Sequence, residues 1–145
     1  MSERVGYRVR LADEAEWEWA ARSAQPGNRY PWGAEWREGV ANTSASKLQK
    51  TTAVGMYPTG DSEQQVTDLT GNVWEWCLNE YASGTGWRVL RGGAWDLNRG
   101  LARAEDRHLN HPGYRYDFVG FRVVCSSPSA EHRGAVHWPL FRCPL

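Results

Sequence analysis

No apolar run in this sequence approaches the roughly 20 residues that a helix needs to cross a bilayer. Charge of one sign is missing too. Seventeen basic and seventeen acidic residues cancel, so nothing here steers the chain toward nucleic acid or an anionic membrane surface. Cysteine is scarce: Cys77, Cys125 and Cys143 are odd in number and far apart, forming neither a CxxC metal pair nor a disulfide framework. The redox compartment therefore stays open. Met1 to Arg10 carry charge but no continuous apolar stretch, which argues against a secretory signal. The expectation is a cytoplasmic protein, or one exported by a route that the sequence does not display. Extended helical periodicity is also lacking. What the chain does have is nine Trp and fifteen Gly among 145 residues. That composition excludes a helical bundle and favours loops and short strands packed around large rings.

One helix is well signalled. In LADEAEWEWAAR, Asp13 reads as the N-cap and Glu16 completes a capping box, so a helix is expected over Asp13 to Arg22. Trp17, Ala20 and Ala21 share one of its faces and Glu14 and Glu18 another. NRYPWG, from Asn28 to Gly33, reads as a turn, and Thr52 to Tyr57 as a short strand-like piece. Trp87 to Leu90 and Phe121 to Val124 have strand character. Trp74, Trp76, Trp87, Trp95 and Phe121 are the expected core aromatics. Between Asp96 and Phe118 neither helical nor strand period is visible, so long surface loops are expected there. The length suits a single compact domain over 1–125, followed by an irregular, Pro- and Ser-containing extension over 126–145.

Six segments, RLADEAEWEWAAR, YPWG, TTAVGMYP, DLTGNVWEW, RVLRGGAW and VGFRVV, run in order from Arg10 to Val124. In wording and order they resemble the sulfatase-modifying-factor family, whose namesake is the formylglycine-generating enzyme. The resemblance implies an α+β fold of the C-type-lectin-like kind: a small twisted antiparallel sheet, one or two helices, and much irregular loop.

The enzymes of that family carry two copper-binding cysteines after the GGS-aromatic motif. Matching on Gly92 and Gly93 puts Ala94 at the serine, and Leu97 and Ala102 at the two cysteines. Leu and Ala supply neither a soft metal ligand nor a redox centre. The chain is thus expected to bind no copper and to have no catalytic residues. A formylglycine-generating-type oxidase, or a degenerate pseudo-enzyme of the same fold, is the alternative. The iron-dependent sulfoxide synthases of the family take histidines partly from another domain, and His108 and His111 alone, without a third ligand, read as accidental. A purely structural scaffold is a third possibility.

A narrower resemblance lies in WRVLRGGAWDLNRGLARAEDRHLNHPGYRYDFVGFRVV. It is similar to the variable region of a diversity-generating retroelement protein, in which codons of the form AAY are recopied with errors at adenine. The constant frame is matched by Arg88 to Trp95, Ala102 to Ala104, Arg107, Pro112, Arg115 and Val119 to Val124. The positions left over are Asp96, Leu97, Asn98, Gly100, Leu101, Asp106, His108, Leu109, Asn110, His111, Gly113, Tyr114, Tyr116, Asp117 and Phe118. All are reachable from AAY by adenine changes. Lys, Gln, Met and Trp, which are unreachable, do not occur between Asp96 and Phe118, and Glu105 is read as frame. The resemblance implies a ligand-binding surface whose partner is a protein or another cell-surface molecule. The mixture suits that role: Tyr and Phe give rigid contact area, while Asn, Asp, His and Gly give adaptable polar contacts.

DLTGNVWEW also resembles a calcium-binding segment of the family. By that carry-over Asp68 and Glu75 would give carboxylates, and Gly71 and Val73 backbone carbonyls, the hard oxygen set that calcium takes. The family's second calcium loop would start at Asn42, but SASKLQK lacks its downstream aspartate. Apart from calcium, Asp68 and Glu75 would cap a turn or pair with an arginine.

Overall fold

A computed structural model describes residues 8–126. The expected extension over 126–145, with Cys143, lies almost wholly outside the described residues. Strand β1 spans Arg8–Leu11 and helix α1 Glu14–Ala21. A long irregular segment follows, with 3-10 turns at Ser44–Ser46 and Pro58–Gly60. Strands β2 (Trp74–Glu80), β3 (Arg88–Arg91), β4 (Arg107–Asn110), β5 (Val119–Phe121) and β6 (Val123–Ser126) complete the order.

α1 forms for the reason its sequence gives. Asp13 is extended, its carboxylate accepts from the Glu16 amide at 2.8 Å, and Glu16 accepts from the Asp13 amide at 2.9 Å. Two of the free amides of the first turn are satisfied this way. Ser23 and Ala24, at φ 51° and 58°, terminate the helix in left-handed backbone. Trp17, Ala20 and Ala21 face inward and are fully buried.

The strands form two sheets. β1 and β6 pair antiparallel, with Leu11 opposite Val123. The larger sheet has the order β4-β3-β2-β5. Its β2–β3 and β3–β4 pairs are antiparallel, but β2 and β5 are parallel, with Trp76 opposite Phe121. The sheet is therefore mixed, where an antiparallel one was expected. β5 reaches the far edge of β2 by a crossover from β4, and that path sets its direction.

Trp17 sits at the centre of the main core, with Ala20, Ala21, Val66, Leu69, Cys77, Val89, Ala104 and Val124. A second cluster gathers Trp74, Leu90 and Ala94, with Trp76, Leu97, Phe118 and Val119 at its margin. The expected core needs correction here. Trp74 is buried and Trp76 and Trp95 are half-buried, but Trp87 is 39 % and Phe121 67 % exposed. Phe121, opposite Trp76 on the edge strand β5, borders an open cavity with Leu11, Leu78 and Pro112. The largest core ring comes from the helix instead.

Two further expectations change. Thr52 to Tyr57 is turn and irregular backbone rather than strand. The stretch from 96 to 118 is not loop throughout, for it holds a 3-10 turn at Arg99–Leu101 and β4, which pairs Leu90 with His108. β4 is an edge strand joined through its backbone, so its side chains show no apolar alternation.

Candidate ligand-binding surface

The loops between β3 and β5 are held by the residues that interleave with the candidate binding positions. Gly93 has φ 73°, and a Cβ there would lie 2.8 Å from the Leu101 carbonyl oxygen and 2.9 Å from Ala102. Only glycine allows that approach. Ala102 and Ala104 are fully buried, where a larger side chain has no room. Arg91, at 1 % exposure, donates to the Ala104 carbonyl at 2.6 Å and to the Glu105 carbonyl at 3.3 Å. The same guanidinium pairs with Glu14 at 3.0 Å and Glu18 at 2.6 Å on α1, and lies 5.4 Å over the Trp17 ring. Backbone bonds complete the anchoring: Ser44 N to Leu97 O at 2.9 Å, Trp95 N to Asn72 O at 3.1 Å, and Ala104 N to Arg29 O at 2.7 Å.

The fifteen candidate positions behave differently. Asp96, Asn98, Leu101, His108, His111, Gly113, Tyr114, Tyr116 and Asp117 are exposed. Leu97, Gly100, Asp106, Leu109, Asn110 and Phe118 are half-buried, and none of the fifteen is buried. Among the described residues, every hydrogen bond made by one of their side chains goes to a backbone amide at most three positions away. Asn98 accepts from Gly100, Asp106 from Arg103, Asn110 from His111, and His111 from Gly113. None of these bonds ties one element to another.

The aromatic members stack in a row. Tyr116 lies 4.9 Å from Phe118 and 6.0 Å from Tyr114, both nearly parallel, and His111 meets Tyr114 and Trp87 edge-on at 6.2 and 6.0 Å. Beyond Phe118 the surface dips into a cavity of about 290 Å³, lined by Trp74, Asp96, Leu97, Asp106, His108 and Phe118 among others. His108 lies against Trp74, with ring centroids 5.5 Å apart. Trp74, read in sequence as core alone, contributes to this cavity. The alternating VWEW pattern marks it as inward-facing but not as reaching two surfaces.

The calcium set is arranged otherwise. The Glu75 carboxylate accepts from Trp17 Nε1 at 2.6 Å and from Arg122 Nη2 at 2.7 Å, with Arg122 Nε on its other oxygen's side. Arg122 Nη2 also donates to the carbonyls of Thr67 and Asp68, at 3.0 and 3.2 Å. The Asp68 carboxylate turns instead to the Gly55 amide at 2.7 Å. Gly71, at φ 73°, uses its amide on the Gly92 carbonyl, while Val73 packs against Gly120. A guanidinium thus already neutralises the Glu75 carboxylate, and the Asp68 carboxylate lies on a different partner, the Gly55 amide. The Arg of the GFRVV segment was the sequence signal for it. Of the positions matched to the enzyme cysteines, Ala102 is buried and Leu97 packs on the Trp74 cluster. Cys77 is buried, and its thiol is pushed up to about 12 by desolvation. Among the described residues no three His, Cys, Asp or Glu side chains gather as a metal group. No helix among them is long and apolar enough to cross a membrane.

Comparison with known proteins places this geometry. The model of a sulfatase-modifying factor enzyme 1-like domain matches residues 1–127. The inactive C-alpha-formylglycine-generating enzyme 2 of Bos taurus is 35 % identical over 141 residues, covering 86 % of this chain and 46 % of its own. The hercynine oxygenase of Mycobacterium tuberculosis is 31 % identical over 136 residues, covering 80 % and 32 %. Among solved structures, Treponema denticola variable protein 1 superposes with a TM-score of 0.70 at 28 % identity, covering 83 % of this chain and 48 % of that one. The chain thus spans less than half the length of each.

Proposed function

This chain belongs to the sulfatase-modifying factor enzyme 1-like family, and within that family we propose that it is a non-catalytic ligand-binding protein whose fifteen loop positions are diversified by a retroelement. One observation carries the reading. Residues 91–94, Ala102 and Ala104 are buried, and Arg91 and Ala104 are bonded across elements, while the side chains at the positions interleaved with them are exposed or half-buried and hydrogen-bonded only locally. Side chains that carry no inter-element bond can be exchanged without redirecting the backbone, which is what wholesale variation demands. The likeness to a structure called a variable protein supports the same reading. The partner is a protein or another cell-surface molecule.

The family also holds enzymes, so catalysis is the competing reading. Leu97 and Ala102 at the cysteine positions weigh against it, as does Cys77, whose buried thiol is not a thiolate near neutral pH. Neither copper nor calcium has a part in the proposal; Arg122 supplies the positive charge beside Glu75.

The test is at the DNA level. Sequencing this gene from many cells of one population should show substitutions confined to the codons of the fifteen positions, each matching an adenine in a nearby AAY-rich copy beside a reverse-transcriptase gene. An invariant locus with no such copy would overturn diversification, and turnover of a sulfatase-type cysteine peptide would overturn the non-catalytic reading.

A further inference from the structure

The cavity beside Phe118 has a definite chemistry. At about 290 Å³ it falls at the small end of the ~300–1,000 Å³ range of ligand pockets, room for one side chain rather than a cofactor. Its walls are aromatic and aliphatic: Trp74, Leu97 and Phe118. Asp96 and Asp106 supply its negative charge, and among the described residues neither carboxylate has an ion-pair partner. The one arginine that borders the cavity, Arg107, is committed elsewhere. It holds both oxygens of Glu14 at 2.7 Å, and its guanidinium lies 4.3 Å over the Tyr81 ring. The cavity therefore combines apolar and aromatic walls with two carboxylates that form no ion pair among the described residues.

We infer that this cavity takes the cationic side chain, arginine or lysine, of a protein partner. The inference rests on reading this face as a binding surface and names what that surface selects. A guanidinium or ammonium on an apolar stem matches each feature: the stem lies against Leu97 and Phe118, the charge is attracted by the Trp74 ring, and the carboxylates meet the head. The adjoining row favours a protein over a sugar. Both faces of the Tyr116 ring are taken, by Tyr114 at 6.0 Å and Phe118 at 4.9 Å. Tyr114 and Tyr116, 51 % and 44 % exposed, offer rigid contact area that suits the uneven surface of a protein, whereas a sugar stacks on an open ring face, which Tyr116 lacks.

The probe is a single capped amino acid. Capped arginine titrated into the uniformly 15N-labelled protein should shift the Trp74 indole resonance and the amides of Asp96, Asp106 and His108, at millimolar concentration. Capped citrulline, isosteric but neutral, should bind about ten-fold more weakly. Asp96→Asn with Asp106→Asn should erase that preference while the rest of the spectrum stays unchanged. Equal binding of citrulline, a preference that survives in the double variant, or no shift at tens of millimolar arginine would overturn the inference. If it fails while adenine-linked variation is found at the locus, only the cation preference is lost. An invariant locus would remove the parent reading instead.

Discussion

At the scale of single residues, Asp106 shows a tension between binding and stability. Its carboxyl is pushed above the ordinary aspartate range, first by desolvation and further by the charge of Glu105, against the Arg103 amide and the charges of Arg103 and Arg91. The sign follows from linkage. A carboxyl raised on folding leaves the native state holding more protons than the unfolded chain, so stability falls as pH rises past the ordinary aspartate value and stays lower at neutral pH. Asp106→Asn, which keeps the acceptor for Arg103, should therefore melt above the parent at pH 7. The gap should close below the ordinary aspartate range, and melts across pH will show whether it does. A variant that melts lower at pH 7 would mean that Asp106 is structural. Glu16 has the opposite sign. Burial raises its carboxyl, but the bonds from Arg10 and Asp13 outweigh burial, so its stabilising contribution is present above the usual glutamate range and lost as pH falls through its lowered value.

At the scale of elements, the Glu75–Arg122 pair clips β2 to the residue between β5 and β6 and to the carbonyls before β2. Because Arg122 already supplies the positive charge beside Glu75, a chelator is expected to leave the melting temperature unchanged, and added calcium not to raise it. A drop on chelation, rescued by calcium, would show that a metal displaces Arg122. How legible the elements were depends on how local their causes are. α1 was readable to within a residue because its capping box and inward face lie inside nine residues. β3 was readable from RVLR, whose Val89 and Leu90 are buried. β4 was not, because RHLN joins the sheet edge through its backbone and leaves no apolar pattern. β1 was missed for another reason: its partner lies far off in the chain, Val124 for Arg10. The candidate positions were picked out by the resemblance to a variable-region frame and by what AAY codons can reach, which are properties of the sequence alone. The gathering of six of them around a cavity with Trp74 was not legible, since it depends on β2 lying in one sheet with β4 and β5.

At the scale of the whole molecule, the account divides the fold into a scaffold that holds the loops and a surface that does not. A domain of this size is only about 5–15 kcal/mol stable. Truncating a core aromatic costs about 3–5 kcal/mol, whereas a surface substitution usually stays within about 0.5 kcal/mol. Many simultaneous changes are tolerable only if nearly all belong to the second kind. Phe118, half-buried against the Trp74 cluster, is the most exacting of the positions to include. The most direct test is the thermal melt of one variant with Asp96, His108, Asn110, Tyr114, Tyr116 and Phe118 all changed to serine, beside Trp17→Ala. The sixfold variant should melt within a few degrees of the parent, while the single core change lowers the midpoint by about 10 °C or more. A sixfold variant that loses its cooperative transition, or melts below Trp17→Ala, would contradict the division of scaffold from surface.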